Sequence, residues 1–205
     1  MLIIIHSETN QHTIAQNLGR SEYSYYFVLK EYRPVLERLG RVVEVADPLT
    51  EVDTLYEECR ASGEPCVFLS FSPPHRTPVH LMCPTLPVFA WEFSTIPNEP
   101  FAGEPRNDWR TVLQACGAAI THSSYTVNAV REAMDSDYPI VAVPAPVWDR
   151  FAARGAPLQG QSPNGPVRLK IKGLVADSRK LDLNAFAPRP LRTGKGLDFH
   201  APVRE

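Results

Sequence analysis

The chain has 205 residues, of which 43% are hydrophobic and 21% charged; this is ordinary globular usage and excludes a wholly disordered polypeptide. The formal net charge of −2 argues against a general nucleic-acid binder, and no apolar run approaches the roughly 20 residues of a membrane helix. Cys59, Cys66, Cys83 and Cys116 stand far apart in mostly apolar segments, so buried thiols are expected rather than a disulfide framework.

The opening MLIIIH lacks the basic flank and long apolar stretch of a signal peptide. Leu2–His6 reads as a buried strand. The connection that follows, residues 7–23, is long against the roughly 2–6 residues usual between strand and helix, and it carries Gly19-Arg20-Ser21-Glu22. Tyr25, Val28, Leu29, Tyr32, Val35, Leu36 and Leu39 then fall on one helical stripe. Pro34 should kink this helix, and Gly40 should stop it. A second strand is expected over Val42–Ala46. The next helix opens with Pro48 and the cap-like Thr50-x-x-Asp53, and turns Val52, Leu55, Tyr56 and Cys59 inward.

Further strands are expected over Cys66–Phe71, Val88–Trp91, Ala118–His122 and Ile140–Val143. Between them, one helix starts at Asn107 and ends at Gly117. Another starts at Ser124 with Val127, Val130 and Met134 on one stripe. The strands are short, rich in Val and Ile, and apolar on successive residues, as parallel strands covered on both faces should be. The expected fold is therefore α/β, a Rossmann-like, doubly wound, mostly parallel six-stranded sheet over residues 1–153. A two-halves strand order would set the first strand beside the fourth.

Residues 154–166 (RGAPLQGQSPNGP) read as a linker. Residues 166–205 carry 9 Lys and Arg against 4 Asp and Glu, whereas residues 1–165 carry 12 against 19. The basic extension over 167–205 begins with an alternating VRLKIKGLVADSRKLDL that suits a short hairpin.

In such a sheet, ligands bind beyond the carboxyl ends of the strands. The residues collected there are His6, Ser7 and Glu8, then Ser72-Pro-Pro-His75, then Trp91 and Glu92, then His122, Ser123 and Ser124. A Trp-Glu pair at a strand end suits a sugar, whose apolar ring face lies on an aromatic while its hydroxyls bond a carboxylate. The plainer alternative is a core Trp91 and a helix-capping Glu92. His122 reads equally as a base in the crevice or a satisfied core histidine. Ser123 and Ser124 read as helix caps or as an anion site at a helix start. G-x-G-x-x-G and the Walker A pattern are both lacking, which removes tight dinucleotide binding and P-loop chemistry. Without G-x-S-x-G an esterase-type nucleophile is disfavoured. His75-x4-His80-x2-Cys83 lacks a second ligand pair at zinc spacing, so no metal site is expected.

SEYSYYFVLKEYRPVLERLG, PVFAWEFSTIP, THSSYTVNAV and IVAVPAPVWDRF, in that order, resemble the N-terminal domain of GT-B glycosyltransferases of the group 1, family 4-like class. The likeness covers about residues 1–153, and its WE-x-x-x-IP element resembles the version found in bacterial cell-surface polysaccharide enzymes. It implies that this domain holds a saccharide or lipid-linked saccharide acceptor. A nucleotide-sugar donor would be bound by a C-terminal Rossmann domain, so that no cofactor is held by this chain. The resemblance makes Glu92 the acceptor-contacting carboxylate and catalytic candidate, with His122 as the second. Glu8, Gly19, Arg20, Glu22, His75, Trp91, Ser123 and Ser124 would bind acceptor. Residues 166–205 would be the lead-in to a donor half that the chain lacks, leaving it inactive alone. The expected location is cytoplasmic, with peripheral contact at the inner face of the membrane and no nucleic-acid partner. Two rivals share the same sheet: a non-catalytic glycan- or partner-binding module, and a flavodoxin-like regulator or small-molecule enzyme.

Overall fold

The computed structural model describes residues 1–10, 13–14 and 23–155. Its first strand, β1 (Leu2–His6), begins a sheet of six parallel strands completed by β2 (Arg41–Glu44), β3 (Cys66–Phe71), β4 (Thr85–Phe89), β5 (Ala119–Thr121) and β6 (Ile140–Ala142). The helices are α1 (Ser24–Leu36), α2 (Pro48–Ser62), α3 (Trp109–Cys116), α4 (Ser124–Ala133) and α5 (Trp148–Gly155). The α/β class and the parallel sheet expected from the apolar runs are present. The linker, the basic extension and its hairpin lie outside the described residues, as do Gly19, Arg20 and Glu22.

Strand order is β2-β1-β3-β4-β5-β6, which corrects the two-halves expectation. β3 separates β1 from β4, so the first and fourth strands are not neighbours. The switch in winding direction falls between β1 and β3, as in the flavodoxin-like order. Right-handed crossovers then send the helices to opposite faces. The registers Leu2↔Cys66 and Phe68↔Thr85 set Ile3, Ile5, Leu69, Phe71 and Val88 on one face, since side chains alternate along a strand. There α1 packs, with the ring of Tyr32 5.4 Å from that of Phe71. Leu2, Ile4 and Phe68 occupy the other face with Val52 and Cys59 of α2. Phe89 meets Trp109 of α3 edge-on at 5.7 Å.

Local chemistry explains the element ends. α2 is capped by Asp47, whose Oδ1 accepts from Leu49 N at 3.0 Å, while Glu51 reaches back to accept from the backbone N–H groups of Ala46 and Asp47. The Thr50-x-x-Asp53 reading therefore fails by one turn. Asp53 instead accepts from Met82 N (2.9 Å) and Cys83 N (3.2 Å), tying α2 to the approach to β4. α3 starts at its cap Asp108 rather than at Asn107. α1 runs through Pro34 for two further residues. Pro34 sits in the last turn and removes one backbone donor, the one that would face the Lys30 carbonyl. β4 begins earlier and stops at Phe89, which leaves Trp91 in the loop.

Gly40 has a role different from a helix stop. A Cβ there would stand 2.3 Å from the Met1 carbonyl oxygen, and that same oxygen accepts from Arg41 N to open the β1–β2 ladder. Gly40→Ala is expected to destabilise the fold by about 1–3 kcal/mol through overpacking against backbone. Leu39→Ala, at a side chain 64% exposed, should stay within about 0.5 kcal/mol of wild type. Urea denaturation of the two variants checks the contrast.

Candidate functional site

Every β-to-α connection of a parallel sheet emerges at the carboxyl edge, so the first turn of each helix lies there with the loop before it. Above β3 and β4 this arrangement encloses a cavity of about 320 Å³, at the small end of the roughly 300–1,000 Å³ typical of small-molecule sites. Ser24, Tyr25 and Val28 contribute from the start of α1. Pro73 and His75 follow β3, Ala90, Trp91 and Glu92 follow β4, and Trp109 comes from the first turn of α3. Three of the residues singled out from sequence, His75, Trp91 and Glu92, thus share one cavity.

Its wall is aromatic and held in place. The Trp91 ring lies 4.6 Å from Trp109 and 4.9 Å from Phe93. The Trp91 indole N–H donates to Thr95 O at 2.7 Å, which fixes the ring and leaves its face for contact. His75 stacks on Trp109 at 6.0 Å and 18°. The Trp109 indole N–H donates to His75 Nδ1 at 3.2 Å. An indole N–H only donates, so Nδ1 must accept and the neutral ring carries its proton on Nε2. The Tyr25 hydroxyl accepts from Ala90 N at 3.4 Å, joining α1 to the β4 loop. Glu92 is exposed at the mouth. It does not cap the following helix, because Asp108 does so by accepting from Arg110 N at 3.0 Å.

Other expected site residues lie elsewhere. His122 follows β5 but does not line the cavity. Its Nδ1 is 3.2 Å from both the Tyr32 hydroxyl and Val143 O. The Tyr32 hydroxyl donates to Val143 O, and burial pushes its own pKa up to about 12. Burial also holds the His122 imidazole below its ordinary 6.5, and the bond to Val143 O offsets this only in part. His122 Nε2 is enclosed and has no hydrogen-bond partner among the described residues. A neutral ring with the proton on Nδ1 satisfies both facts.

Ser123 is a cap: its Oγ accepts from Thr126 N at 3.2 Å. Thr126 Oγ1 in turn donates to Trp91 O at 2.7 Å, so the cap steadies the cavity wall without lining it. Ser124 is exposed in the first turn of α4. Glu8, also exposed, pairs with Arg76 at 3.7 Å and bridges the ends of β1 and β3. Beneath that bridge Ser70, Ser72 and Thr77 form a buried hydroxyl chain with spacings of 2.8 and 3.2 Å. A larger groove of about 670 Å³ runs between α3 and the α4–β6 connection, lined by Arg110, Gln114, Met134 and Asp137 among others; none of the expected site residues among the described ones borders it. Among the described residues no group of three His, Cys, Asp or Glu side chains is arranged to hold a metal ion.

Trp109 and Ser24 line the cavity without having been singled out from the sequence. The available signal was positional, since each belongs to the first turn of a helix that follows a parallel strand or its loop.

The half-buried His122 makes stability depend on pH with a definite sign. Its folded pKa lies below the unfolded value, so the unfolded chain binds more protons in the interval between them. The contribution is complete above about pH 6.5 and is lost as pH falls toward the folded value. His122→Asn should flatten that part of the stability profile between pH 7.5 and 5.5. NMR titration of the wild-type ring should give a midpoint below 6.5.

Compared with known protein families, curated proteins and solved structures, the chain matches none; the cavity must be read from its own residues and geometry.

Proposed function

We propose that this chain is the acceptor-binding half of a nucleotide-sugar-dependent glycosyltransferase, and that its acceptor is a saccharide or lipid-linked saccharide. The observation that carries the reading is the cavity in which Trp91, Trp109 and Tyr25 form an aromatic wall with the Glu92 carboxylate at its rim. An aromatic wall takes up the C–H face of a pyranose, and a carboxylate accepts from its hydroxyls with charge-assisted bonds. The volume suits one sugar unit rather than a long chain. The resemblance to GT-B N-terminal domains supports the same assignment and adds the donor, a nucleotide sugar held by a second domain.

The chemistry is transfer of a hexosyl group to an acceptor hydroxyl. The hydroxyl oxygen bonds to the anomeric carbon, the bond from that carbon to phosphate breaks, and nucleoside diphosphate leaves. In an inverting reaction Glu92 takes the hydroxyl proton as general base. In a retaining one Glu92 orients the acceptor instead. His75, neutral with its proton on Nε2, joins Ser24 and Tyr25 as a polar side chain of the wall. His122 lies apart from the cavity, and its proposed part is to hold α1 to the β5 and β6 ends through Tyr32 and Val143.

The separation of His122 from Glu92 also favours a second reading, in which the module binds a glycan without turnover. Saturation-transfer NMR against a panel of mono- and disaccharides tests both. Wild-type protein should show contact to sugar ring protons. Trp91→Ala and Glu92→Gln should each weaken binding at least tenfold, about 1.4 kcal/mol; the melting temperature should be unchanged in Glu92→Gln and lowered in Trp91→Ala, which loses its packing on Trp109. No saccharide response from wild type, or binding as tight in both variants as in wild type, overturns the assignment. Micromolar binding of a nucleotide sugar to this chain would overturn the division of labour between acceptor and donor halves.

A further inference from the structure

The opposite, amino-terminal pole of the sheet holds a second concentration of chemistry, made of sulfur. Cys66 opens β3, and continuing the Phe68↔Thr85 register back by two residues sets it opposite Cys83, in the segment that leads into β4. Neighbours in register point to the same face of a sheet, and their Sγ atoms stand 3.8 Å apart. Cys59 of α2 lies in the same apolar cluster, with Cys83, and Cys66 packs against it. Its Sγ is 3.6 Å from Glu64 Oε2, a carboxylate already paired with Arg41 at 3.1 Å and with the terminal ammonium at 3.4 Å. All four cysteines are free thiols. Cys59 and Cys83 are each only 2% exposed, whereas Cys66 is half-buried.

We propose that Cys66 and Cys83 form an oxidisable dithiol that takes a hydroperoxide as its oxidant and closes to an intramolecular disulfide, with Cys59 as the adjacent reserve thiol. Cys66 is the entry point because it is the one of the three that solvent reaches. Its thiolate attacks a peroxide oxygen, the O–O bond breaks, and hydroxide or alkoxide leaves with the proton the thiol gave up. Cys83 then attacks the sulfenic sulfur of Cys66, forming S–S and releasing water. Two thiols and hydrogen peroxide give one disulfide and two waters; the sulfurs lose two electrons, and the peroxide gains them.

Neighbouring strands bring the two Cα atoms within the range a disulfide needs. The backbone around Cys83 is fixed by Asp53, which accepts from Met82 N and Cys83 N, so the partner sulfur is held beside the entry thiol. Burial raises the thiol pKa of Cys59 to about 11 and raises that of Cys83 as well. Both therefore wait as thiols until Cys66 has been oxidised.

The four cysteines fall in four different tryptic peptides, 42–60, 61–76, 77–106 and 111–131, which makes the pairing directly readable. The whole chain is treated with hydrogen peroxide, remaining thiols are alkylated, and the protein is digested without reduction. The expected product is peptide 61–76 linked to peptide 77–106, a loss of two mass units in the intact monomer, and full alkylation of Cys116. Cys83→Ser should trap Cys66 as a dimedone-reactive sulfenic acid or divert it to Cys59. Cys116→Ser should leave the linkage unchanged. Four alkylated cysteines after peroxide, a linkage through Cys116, or disulfide found only between two chains would each overturn the proposal. The wild-type peptide map decides the matter even where a variant fails to fold.

Discussion

The rest of the structure depends on β1 being buried on both faces and both edges. Leu2, Ile4 and Ile5 have no exposed surface and Ile3 only 2%, and each fully buried aliphatic side chain contributes roughly 1.5–3 kcal/mol. A strand in that position must have neighbours on each side, here β2 and β3. The chain therefore leaves β1 in one direction and returns past it in the other. Right-handed crossovers convert that reversal into helices on opposite faces. The starts of α1 and α3 consequently flank one stretch of the carboxyl edge from two sides, and the cavity fills the gap between them.

What makes this gap a site rather than a loose seam is the anchoring of the Trp91–Asn98 segment at both ends. At its start, Thr126 Oγ1 holds Trp91 O from the capped end of α4. At its end, Trp109 N donates to Pro97 O at 3.0 Å and Arg110 donates to Asn98 O at 2.7 Å. Arg110 is itself held by Asp108 through two contacts, of 3.0 and 2.7 Å. Its guanidinium keeps the Asp108 carboxyl below the usual carboxylate range. Asp108 caps the helix at the same time, so a single carboxylate starts α3, aims Trp109 and ties down the neighbouring loop. Glu92 then sits on a fixed backbone, and only its exposed side chain has to be ordered when a ligand binds.

Most of this fold was legible in the sequence because buried parallel strands leave an unmistakable pattern. The runs at Leu2–His6 and Cys66–Phe71 coincide with the observed strands residue for residue, since apolar character continues to both ends. β4 was harder. Thr85 and Pro87 dilute its start, and Trp91 prolongs the apolar run past the last ladder bond, so the expected strand slipped toward the loop. Strand order was not legible at all, because adjacency depends on which crossover passes over β1 and no single residue records it. In the site, Trp91, Glu92 and His75 were found by their position after strands. Trp109 lies in a helix first turn rather than directly after a strand, so the rule that collected the residues following each strand did not reach it. His122 carried no signal separating a base in a crevice from a ring buried against Tyr32.

β3 runs between two kinds of chemistry. Cys66 stands at its first residue and Phe71 at its last, with the Ser72–His75 turn just beyond, and six residues at about 3.3 Å each separate them by roughly 17–20 Å. At the carboxyl end the side chains are aromatic and oxygen-rich; at the amino end they are sulfur. A bond formed between Cys66 and Cys83 would cross-link the starts of β3 and β4, the two strands whose far ends carry the cavity. Those strands are already fixed to one another from Phe68↔Thr85 to Phe71↔Val88. The added link restrains the end that the ladder leaves open and demands little movement of the end that binds. The two poles can therefore act independently, because the ladder between them is already rigid.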